Sequence, residues 1–176
     1  SEEQRKGLTL SLKNIDRLIG LIDGMSGAPD VDAIKPTKFS LRTLIEEASG
    51  LLRSRMEAKA IHFSLEMPKE GPTIEADRDK IQQVFINLLS NAIKFNKQGG
   101  SIEVALRPTT TDHVRIEIED TGIGIAAGEI SKIFDRHFRA SGTQSTEEGR
   151  GLGLAIVREI LQRHGCEIEA CSEPGE

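Results

Sequence analysis

Three short segments of this chain alternate strictly between apolar and polar residues, and this period of two constrains the fold most strongly. The segments cover residues 61–67, 101–107 and 113–119. Successive side chains of a β-strand point to opposite faces, so each segment predicts a strand with one covered face and one face in water. Such strands are typical of an antiparallel or mixed sheet with helices on one side. Further strands are expected around Ile74 and over 166–171.

Four other segments repeat their apolar residues with a helical period. They cover approximately residues 4–26, 41–59, 78–96 and 151–164. Ser40 and Asp77 stand directly before the second and third of these segments and are good N-caps. The sequence therefore predicts an α+β fold, a two-layer α/β sandwich preceded by one long helix.

The polar, proline-containing stretch 27–38 predicts a linker between the first helix and the rest of the chain. We expect a domain boundary there, with the globular domain over 39–176. The net charge of −5 argues against a general nucleic-acid binder. No apolar run approaches the roughly 18 residues of a membrane helix, so no direct membrane contact is expected. Cys166 and Cys171 match no metal or redox spacing and predict reduced thiols in a cytoplasmic protein.

One side of the helix 78–95 carries Asn87, Asn91 and Lys94 at steps of about one turn. Two amide oxygens and an ammonium in line can hold a hydrated Mg²⁺ and the phosphates that it bridges. By itself, the same pattern also fits the polar solvent face of an ordinary amphipathic helix, and that interpretation stays open at this point.

Asp120 continues the inward-facing set of the strand 113–119, whose earlier members are Val114, Ile116 and Ile118. A carboxylate on the covered face is costly unless donors meet it. The glycines of DTGIGI, which directly follows, let a flat ligand approach the backbone. Asp120 could therefore accept from the amino group of adenine, or it could cap the next turn. The same segment fits the dinucleotide motif G-x-G-x-x-A, but its strand alternates and a Rossmann strand does not.

A second glycine cluster, Gly149, Gly151 and Gly153, opens the last helix. Backbone amides at a helix N-terminus suit an anion such as phosphate. Between the two clusters, residues from about 126 to 149 form a long segment with little predicted structure. Long loops within a compact domain are usually functional, and we expect this one to be a lid.

Four motifs stand in the order and spacing of the N, G1, F and G2 boxes: NLLSNAIKF at 87–95, DTGIGI at 120–125, IFDRHFR at 133–139 and GRGLGLAIV at 149–157. The chain resembles the catalytic, ATP-binding part of a sensor histidine kinase of the two-component type. The resemblance implies the Bergerat-type ATP-binding fold shared with gyrase, Hsp90 and mismatch-repair ATPases. Residues 1–26 resemble the second helix of the dimerisation and phosphotransfer hairpin.

The resemblance implies a role for each residue that matches a box. Asn91, assisted by Asn87, would bind Mg²⁺, and Lys94 would reach the phosphates. Phe95 holds the place of a ring that flanks the adenine, and Asp120 would bind the adenine amino group.

For the remaining boxes, the resemblance implies contacts along the whole nucleotide. Gly122 and Gly124 would line the base. Arg139 would meet the terminal phosphate and would belong, with Asn87, Asn91 and Lys94, to the catalytic group. The phosphate cradle would comprise Gly149, Gly151 and Gly153, with Leu154 beside them.

The family transfers the γ-phosphoryl group of ATP to a histidine of the hairpin, from which it passes to an aspartate of a response regulator. The resemblance therefore implies a homodimer through the hairpin and a response-regulator receiver domain as partners. None of His62, His113, His137 and His164 stands in an H-box context. We therefore expect the acceptor to lie outside this sequence. The ending SEPGE, where the family usually continues into another strand, also predicts that the chain is part of a longer protein.

Two alternatives remain. An ATPase of the same fold needs a general base, and the family members that hydrolyse ATP carry a glutamate one turn before the Mg²⁺-binding asparagine. That position is Asn87, which cannot take a proton, so kinase activity is favoured. A degenerate domain that only binds nucleotide is the second alternative, and the four intact boxes weigh against it.

Overall fold

The computed structural model describes residues 34–107, 109, 113–140 and 151–173. Lys35 begins the compact unit that contains all the described helices and strands. The predicted first helix, 4–26, and the linker up to residue 33 lie outside the described residues. No helix of the described part is long and apolar enough to cross a membrane.

Two small sheets and three helices build the described part of the domain. The strands of the first sheet, β1 and β3, are antiparallel. The second sheet has the order β2-β4-β5, in which β2 is parallel to β4 and β5 is antiparallel to it. In chain order the elements are β1 (Pro36–Ser40), α1 (Leu41–Ala58), β2 (His62–Glu66), β3 (Thr73–Asp77), α2 (Arg78–Phe95), β4 (Ser101–Arg107), β5 (Arg115–Asp120), a 3-10 turn (Ile130–Lys132) and α3 (Gly153–Arg163).

Both predicted N-caps are confirmed. The Ser40 side chain accepts the N–H of Thr43 at 3.4 Å and starts α1. The Asp77 carboxylate accepts the N–H of Lys80 at 3.2 Å and starts α2. Each cap supplies an acceptor for one of the N–H groups that the first turn of a helix leaves without an intrahelical partner.

The structure differs from the sequence prediction where pairing is decided by distant residues. Residues 36–38, predicted as linker, begin β1, in which Pro36 lies opposite Asp77 and Ser40 opposite Thr73. Proline is tolerated there because it is the first residue of a strand. β5 begins at Arg115, so Val114, predicted to face inward, precedes the strand and is 44% exposed.

The predicted last strand over 166–171 is wrong for the described chain. These residues have no regular secondary structure. Ile168 packs against the apolar cluster of α3, which accounts for the apolar position in the pattern. Alternation alone does not make a strand, because a strand also needs a ladder partner; within the described residues, 166–171 join neither sheet.

The apolar core explains why α2 is central to the domain. One side of α2 packs with α1 and the second sheet in a cluster whose largest fully buried side chains are Leu44, Ile45, Leu89, Ile93, Ile102 and Val104. Another side packs on α3 through Val84, Val157 and Ile160. Burying one such side chain contributes about 1.5–3 kcal/mol. These two contacts leave a polar stripe of α2 between α3 and the end of β5.

Side chains from elsewhere in the chain also hold both ends of α2. At the C-terminus, the Lys59 ammonium donates to the carbonyl oxygens of Lys94 at 2.7 Å, Ile93 at 3.0 Å and Asn96 at 3.3 Å. A cation at this end also suits the helix dipole.

At the N-terminus of α2, His164 forms a bridge to α3. The N–H of Asp77 donates to His164 Nε2 at 3.2 Å, while Nδ1 lies 2.8 Å from the carbonyl oxygen of Ile160. One ring nitrogen must accept and the other must donate, so this arrangement requires a neutral imidazole with its proton on Nδ1. His164 thus ties the end of α3 to the start of α2.

The environment of the Asp77 carboxylate should make the free energy of unfolding sensitive to acid. Burial favours a higher pKa, but the hydrogen bonds from the Lys35 and Lys80 N–H groups hold the pKa of Asp77 below its usual value of 3.8. A lowered folded-state pKa gives stability that is complete above the unfolded value and is lost as the pH falls through the folded value. We expect Asp77→Asn to lose less stability than the wild type between about pH 6 and about pH 2.5.

Urea unfolding at a series of pH values measures this difference. Asp79→Asn removes an exposed carboxylate from the first turn of the same helix and is the matched control. An acid-induced loss in Asp77→Asn as large as in the wild type and Asp79→Asn would contradict the assignment.

Candidate active site

The polar stripe of α2 is the backbone of the candidate site. Asn87, Asn91 and Lys94 follow one another along it, and all three are half-buried. Asn87 lies against the start of α3, where its Nδ2 donates to the carbonyl oxygen of Gly153 at 3.4 Å. The predicted amide stripe and the second glycine cluster therefore meet.

The first turn of α3 is suited to an anion. Its N-cap residue is Leu152, whose side chain makes no capping hydrogen bond. The N–H groups of such a turn need acceptors from outside the helix, and phosphate oxygens are good ones. Gly153 and Leu154 belong to this turn and are half-buried. Gly149 lies outside the described residues.

Asp120 ends β5 opposite the fully buried Ile102. Its side chain is nevertheless exposed, so the covered position predicted from the alternating set is wrong. Its Oδ1 accepts the N–H of Gly122 at 2.8 Å, so the carboxylate also caps the turn that follows it. Within the described residues, no other hydrogen bond to this carboxylate is found, which leaves Oδ2 for a further donor. Partial desolvation by the surrounding protein atoms, and to a lesser extent the charge of Glu119, raises the pKa of Asp120, although the Gly122 hydrogen bond opposes the shift.

The loop after Asp120 lies directly against the end of α2. The N–H of Ile123 donates to the carbonyl oxygen of Phe95 at 3.1 Å. A Cβ atom on Gly122 would lie 2.7 Å from that same oxygen and 2.6 Å from Asp120 Oδ1. Only glycine permits this approach. The half-buried Phe95 ring carries the Lys94 ammonium 4.7 Å from its centroid.

The described part of the predicted lid, residues 126–140, contacts α3 and Gly151, which precedes it. The N–H of His137 donates to the carbonyl oxygen of Gly151 at 2.9 Å. Arg136 and Glu159 form an ion pair at 3.0 Å, and Asp135 and Arg158 form another at 3.8 Å.

Arg139 follows this docked segment of the lid and is half-buried. Residues 141–149, the remainder of the predicted lid, lie outside the described part of the chain.

Two groups of predicted residues thus lie at different points along α2. Asn87 contacts Gly153 at one point, and Phe95 contacts the loop that carries Asp120 and Gly122 at the other. Eight positions of α-helix separate Asn87 from Phe95, a distance of about 12 Å, with Asn91 between them. No cluster of three His, Cys, Asp or Glu side chains that could hold a metal ion is found among the described residues. Asparagine amide oxygens are the candidate protein ligands on the stripe.

Asn96 and Thr121, which no sequence pattern singled out, connect these parts. The Asn96 side chain is buried with 6% exposure and accepts the Thr121 hydroxyl at 3.2 Å. An asparagine after a helix and a threonine before a glycine are ordinary turn residues, so their sequence positions carry no signal of this contact.

Residues 76–176 match the family model described as "Histidine kinase-, DNA gyrase B-, and HSP90-like ATPase". The chain is similar to the adaptive-response sensory kinase SasA of Nostoc sp. (strain PCC 7120), with 36% identity over 163 residues, which cover 92% of this chain and 40% of that protein. SasA of Synechococcus elongatus (strain PCC 7942) is 34% identical over 166 residues, 94% of this chain and 43% of its own length. The chain thus spans less than half the length of these relatives.

Solved structures of histidine kinases share the fold. The nucleotide-free catalytic domain of ThkA aligns with a TM-score of 0.64 and 34% identity over 73% of this chain and 81% of its own. Full-length ShkA in complex with AMPPNP aligns with a TM-score of 0.77 and 26% identity, over 99% of this chain and 37% of ShkA. ThkA in complex with the response regulator TrrA aligns with a TM-score of 0.68 and 28% identity, over 90% of this chain and 43% of that one. These likenesses confirm the predicted fold class and the resemblance drawn from the four boxes.

The close contact at Gly151 predicts a specific cost of adding a side chain. Its φ is +68°, and a Cβ atom would lie 2.6 Å from the carbonyl oxygen of Phe138. We expect Gly151→Ala to destabilise the protein by at least about 1 kcal/mol, since both the backbone conformation and the contact become unfavourable.

Gly50 on α1 supplies the control, because a Cβ atom there meets nothing within 4 Å. Gly50→Ala should be neutral or stabilising by up to about 1 kcal/mol through its helix propensity. Thermal unfolding compares the two. Equal melting temperatures for Gly151→Ala and the wild type would contradict the docking described for the lid segment.

Proposed function

We propose that this chain, which belongs to the family of histidine kinase-, DNA gyrase B- and HSP90-like ATPases, binds ATP with Mg²⁺ for transfer of the γ-phosphoryl group to a histidine. The chain is the ATP-binding catalytic domain of a histidine kinase, and its acceptor would lie on a dimerisation and phosphotransfer hairpin outside this sequence. The observation that carries the proposal is that two glycine-containing turns contact α2, one at the Asn87 side chain and one at the backbone of Phe95.

The end of the site at Phe95 has the chemistry to bind adenine. Asp120 Oδ2 is available to accept an amino group, and a charged acceptor contributes more to such a hydrogen bond than a neutral one. Gly122 and Gly124 present backbone without side chains to the base, and the ring of Phe95 would flank it.

The end of the site at Asn87 has the chemistry to bind phosphates. The first-turn N–H groups of α3, beginning at Gly153 and Leu154, would bind phosphate oxygens, together with Gly149 and Gly151. Lys94 and Arg139 would supply positive charge to the phosphates. Both are half-buried beside the elements of the site.

The donor set of the stripe fits Mg²⁺. Asn91, with Asn87 beside it, offers neutral amide oxygens, and Mg²⁺ is usually bound by few protein oxygens together with substrate phosphates and water. Bound Mg²⁺ would neutralise charge that develops on the phosphates during transfer.

The residues of this chain would act by positioning. Phosphoryl transfer depends mostly on alignment and charge neutralisation, and the two fixed ends of the site hold a nucleotide by its base and by its phosphates. Hydrolysis would additionally need a base to orient water. Asn87 cannot accept that proton, and its amide already donates to Gly153, so we favour transfer over an ATPase activity.

The partners follow from the same comparison. A solved structure shows ThkA in complex with the response regulator TrrA. We infer that the parent of this chain likewise forms a homodimer through its hairpin and passes the phosphoryl group to the receiver domain of a response regulator. The free thiols of Cys166 and Cys171 fit a reducing, cytoplasmic compartment.

Removing the charge of Asp120 should weaken binding of the base. We expect Asp120→Asn to reduce the affinity for ADP by about ten- to a hundredfold, because an amide is a weaker acceptor and brings unwanted donors. Isothermal titration calorimetry measures the change, with Glu119→Gln, the neighbouring exposed carboxylate, as the control. Equal affinities of wild type and Asp120→Asn, or equal binding of ADP and GDP by the wild type, would refute the adenine assignment.

Phosphoryl transfer should require an added hairpin that carries the acceptor histidine. With γ-labelled ATP and Mg²⁺, we expect acid-labile label on the hairpin and none on this chain. Asn91→Ala should abolish the transfer, because the amide oxygen that would bind Mg²⁺ is removed. Label on this chain alone, lost when His62, His113, His137 or His164 is replaced, would show that the acceptor is internal.

A further inference from the structure

The side chain of Asn96 joins three parts of the domain. Asn96 directly follows α2, and its Nδ2 donates to the carbonyl oxygen of Ser101, the first residue of β4, at 2.9 Å. Its Oδ1 accepts the N–H of Lys97 at 3.0 Å and the hydroxyl of Thr121 at 3.2 Å. Every polar atom of this buried side chain is therefore satisfied within the protein.

Thr121 completes the arrangement from the other side. Its hydroxyl oxygen accepts the N–H of Ser101 at 2.8 Å, and the hydroxyl donates to Asn96 Oδ1 at 3.2 Å. Its own N–H donates to the carbonyl oxygen of Ser101 at 3.2 Å. A Cβ atom on Gly100 would lie 2.1 Å from Asn96 Oδ1 and 2.7 Å from Thr121 Oγ1, so these contacts also depend on the glycine there.

The position of Thr121 in the chain connects its hydrogen bond with Asn96 to the residues that would bind the base. It stands between Asp120, whose carboxylate would bind the base, and Gly122, whose backbone would lie beneath it. The next hydrogen bond along the loop joins the N–H of Ile123 to the carbonyl oxygen of Phe95 at 3.1 Å. The loop is thus held to the end of α2 on both sides of Gly122.

We infer that Thr121 and Asn96 are positioning residues for base recognition: their hydrogen bond fixes Asp120 relative to Phe95 and the phosphate-binding stripe of α2. This inference rests on the proposed binding of adenine by Asp120. Selection between adenine and guanine depends on where one carboxylate oxygen lies. Loss of the hydroxyl therefore reduces the selectivity for the base in addition to reducing stability.

Thr121→Val tests the inference, since it keeps the shape of the side chain and removes the hydroxyl. Thr121→Ser keeps the hydroxyl and should restore the wild-type behaviour. Thr37→Val, at an exposed position of β1, controls for the same substitution elsewhere. Circular dichroism and urea unfolding select conditions in which all variants are folded.

Two measurements then follow. In the nucleotide-free protein, amide hydrogen exchange at Ser101 and Ile123 should be at least about tenfold faster in Thr121→Val, because the Ser101 N–H loses its acceptor and the loop loses one of its attachments. By calorimetry, the ratio of the GDP to the ADP dissociation constant should fall about tenfold in Thr121→Val and remain within about twofold of the wild type in Thr121→Ser and Thr37→Val.

An unchanged ratio of the GDP to the ADP dissociation constant in a folded Thr121→Val protein would overturn the inference, even if the protein were less stable. The Thr121 hydroxyl would then have a structural role alone. Unchanged exchange at Ser101 and Ile123 would overturn it as well. A wild-type protein without preference for ADP would instead refute the proposed adenine site itself, so the two failures appear in different proteins.

Discussion

The burial of α2 on two sides is the interaction on which the rest of the structure depends. Ile93 and Leu89 pack into the cluster with α1 and the sheet, while Val84 packs against Val157 of α3. Burial of each of these side chains contributes about 1.5–3 kcal/mol, whereas the exposed ion pairs of the lid segment contribute about 1 kcal/mol at most. The polar stripe is the part of α2 that these contacts leave, so apolar packing decides where Asn87, Asn91 and Lys94 are presented.

Hydrogen bonds at the two ends of α2 convert this packing into a defined site. The Asp77–His164 contact fixes the N-terminal end to α3. At the C-terminal end, Lys59 ties α2 to the end of α1, and Asn96 ties it to β4. Both glycine turns are attached to the same helix, one through Asn87 and one through Phe95. Under the proposed function, a domain built in this way would hold the two ends of a nucleotide at a fixed separation, which is the contribution that positioning makes to phosphoryl transfer.

Much of this arrangement could be predicted because it follows from local patterns. Periodicity and the caps Ser40 and Asp77 predicted α1 and α2. The alternating set correctly predicted that Ile116 and Ile118 pack on the core, but Asp120, the next member of the set, is exposed. Pairing between distant segments could not be predicted in the same way. β1, which begins at Pro36, forms a strand because it pairs with β3, which lies more than thirty residues further along the chain. The roles of His164 and Thr121 depend on residues far along the chain, because a hydrogen bond between such positions leaves no periodic signal.

Mapping where ADP binds is the most direct test of a single nucleotide site along α2. In the amide NMR spectrum of the labelled protein, addition of ADP and Mg²⁺ should shift two groups together, Gly122 and Ile123 at one end of the stripe and Gly153 and Leu154 at the other. Amides of β1 should stay unchanged. Shifts confined to one of the two groups would contradict a single site along α2. So would shifts centred on the cavity between α1 and β2 that Arg53 and Phe63 line.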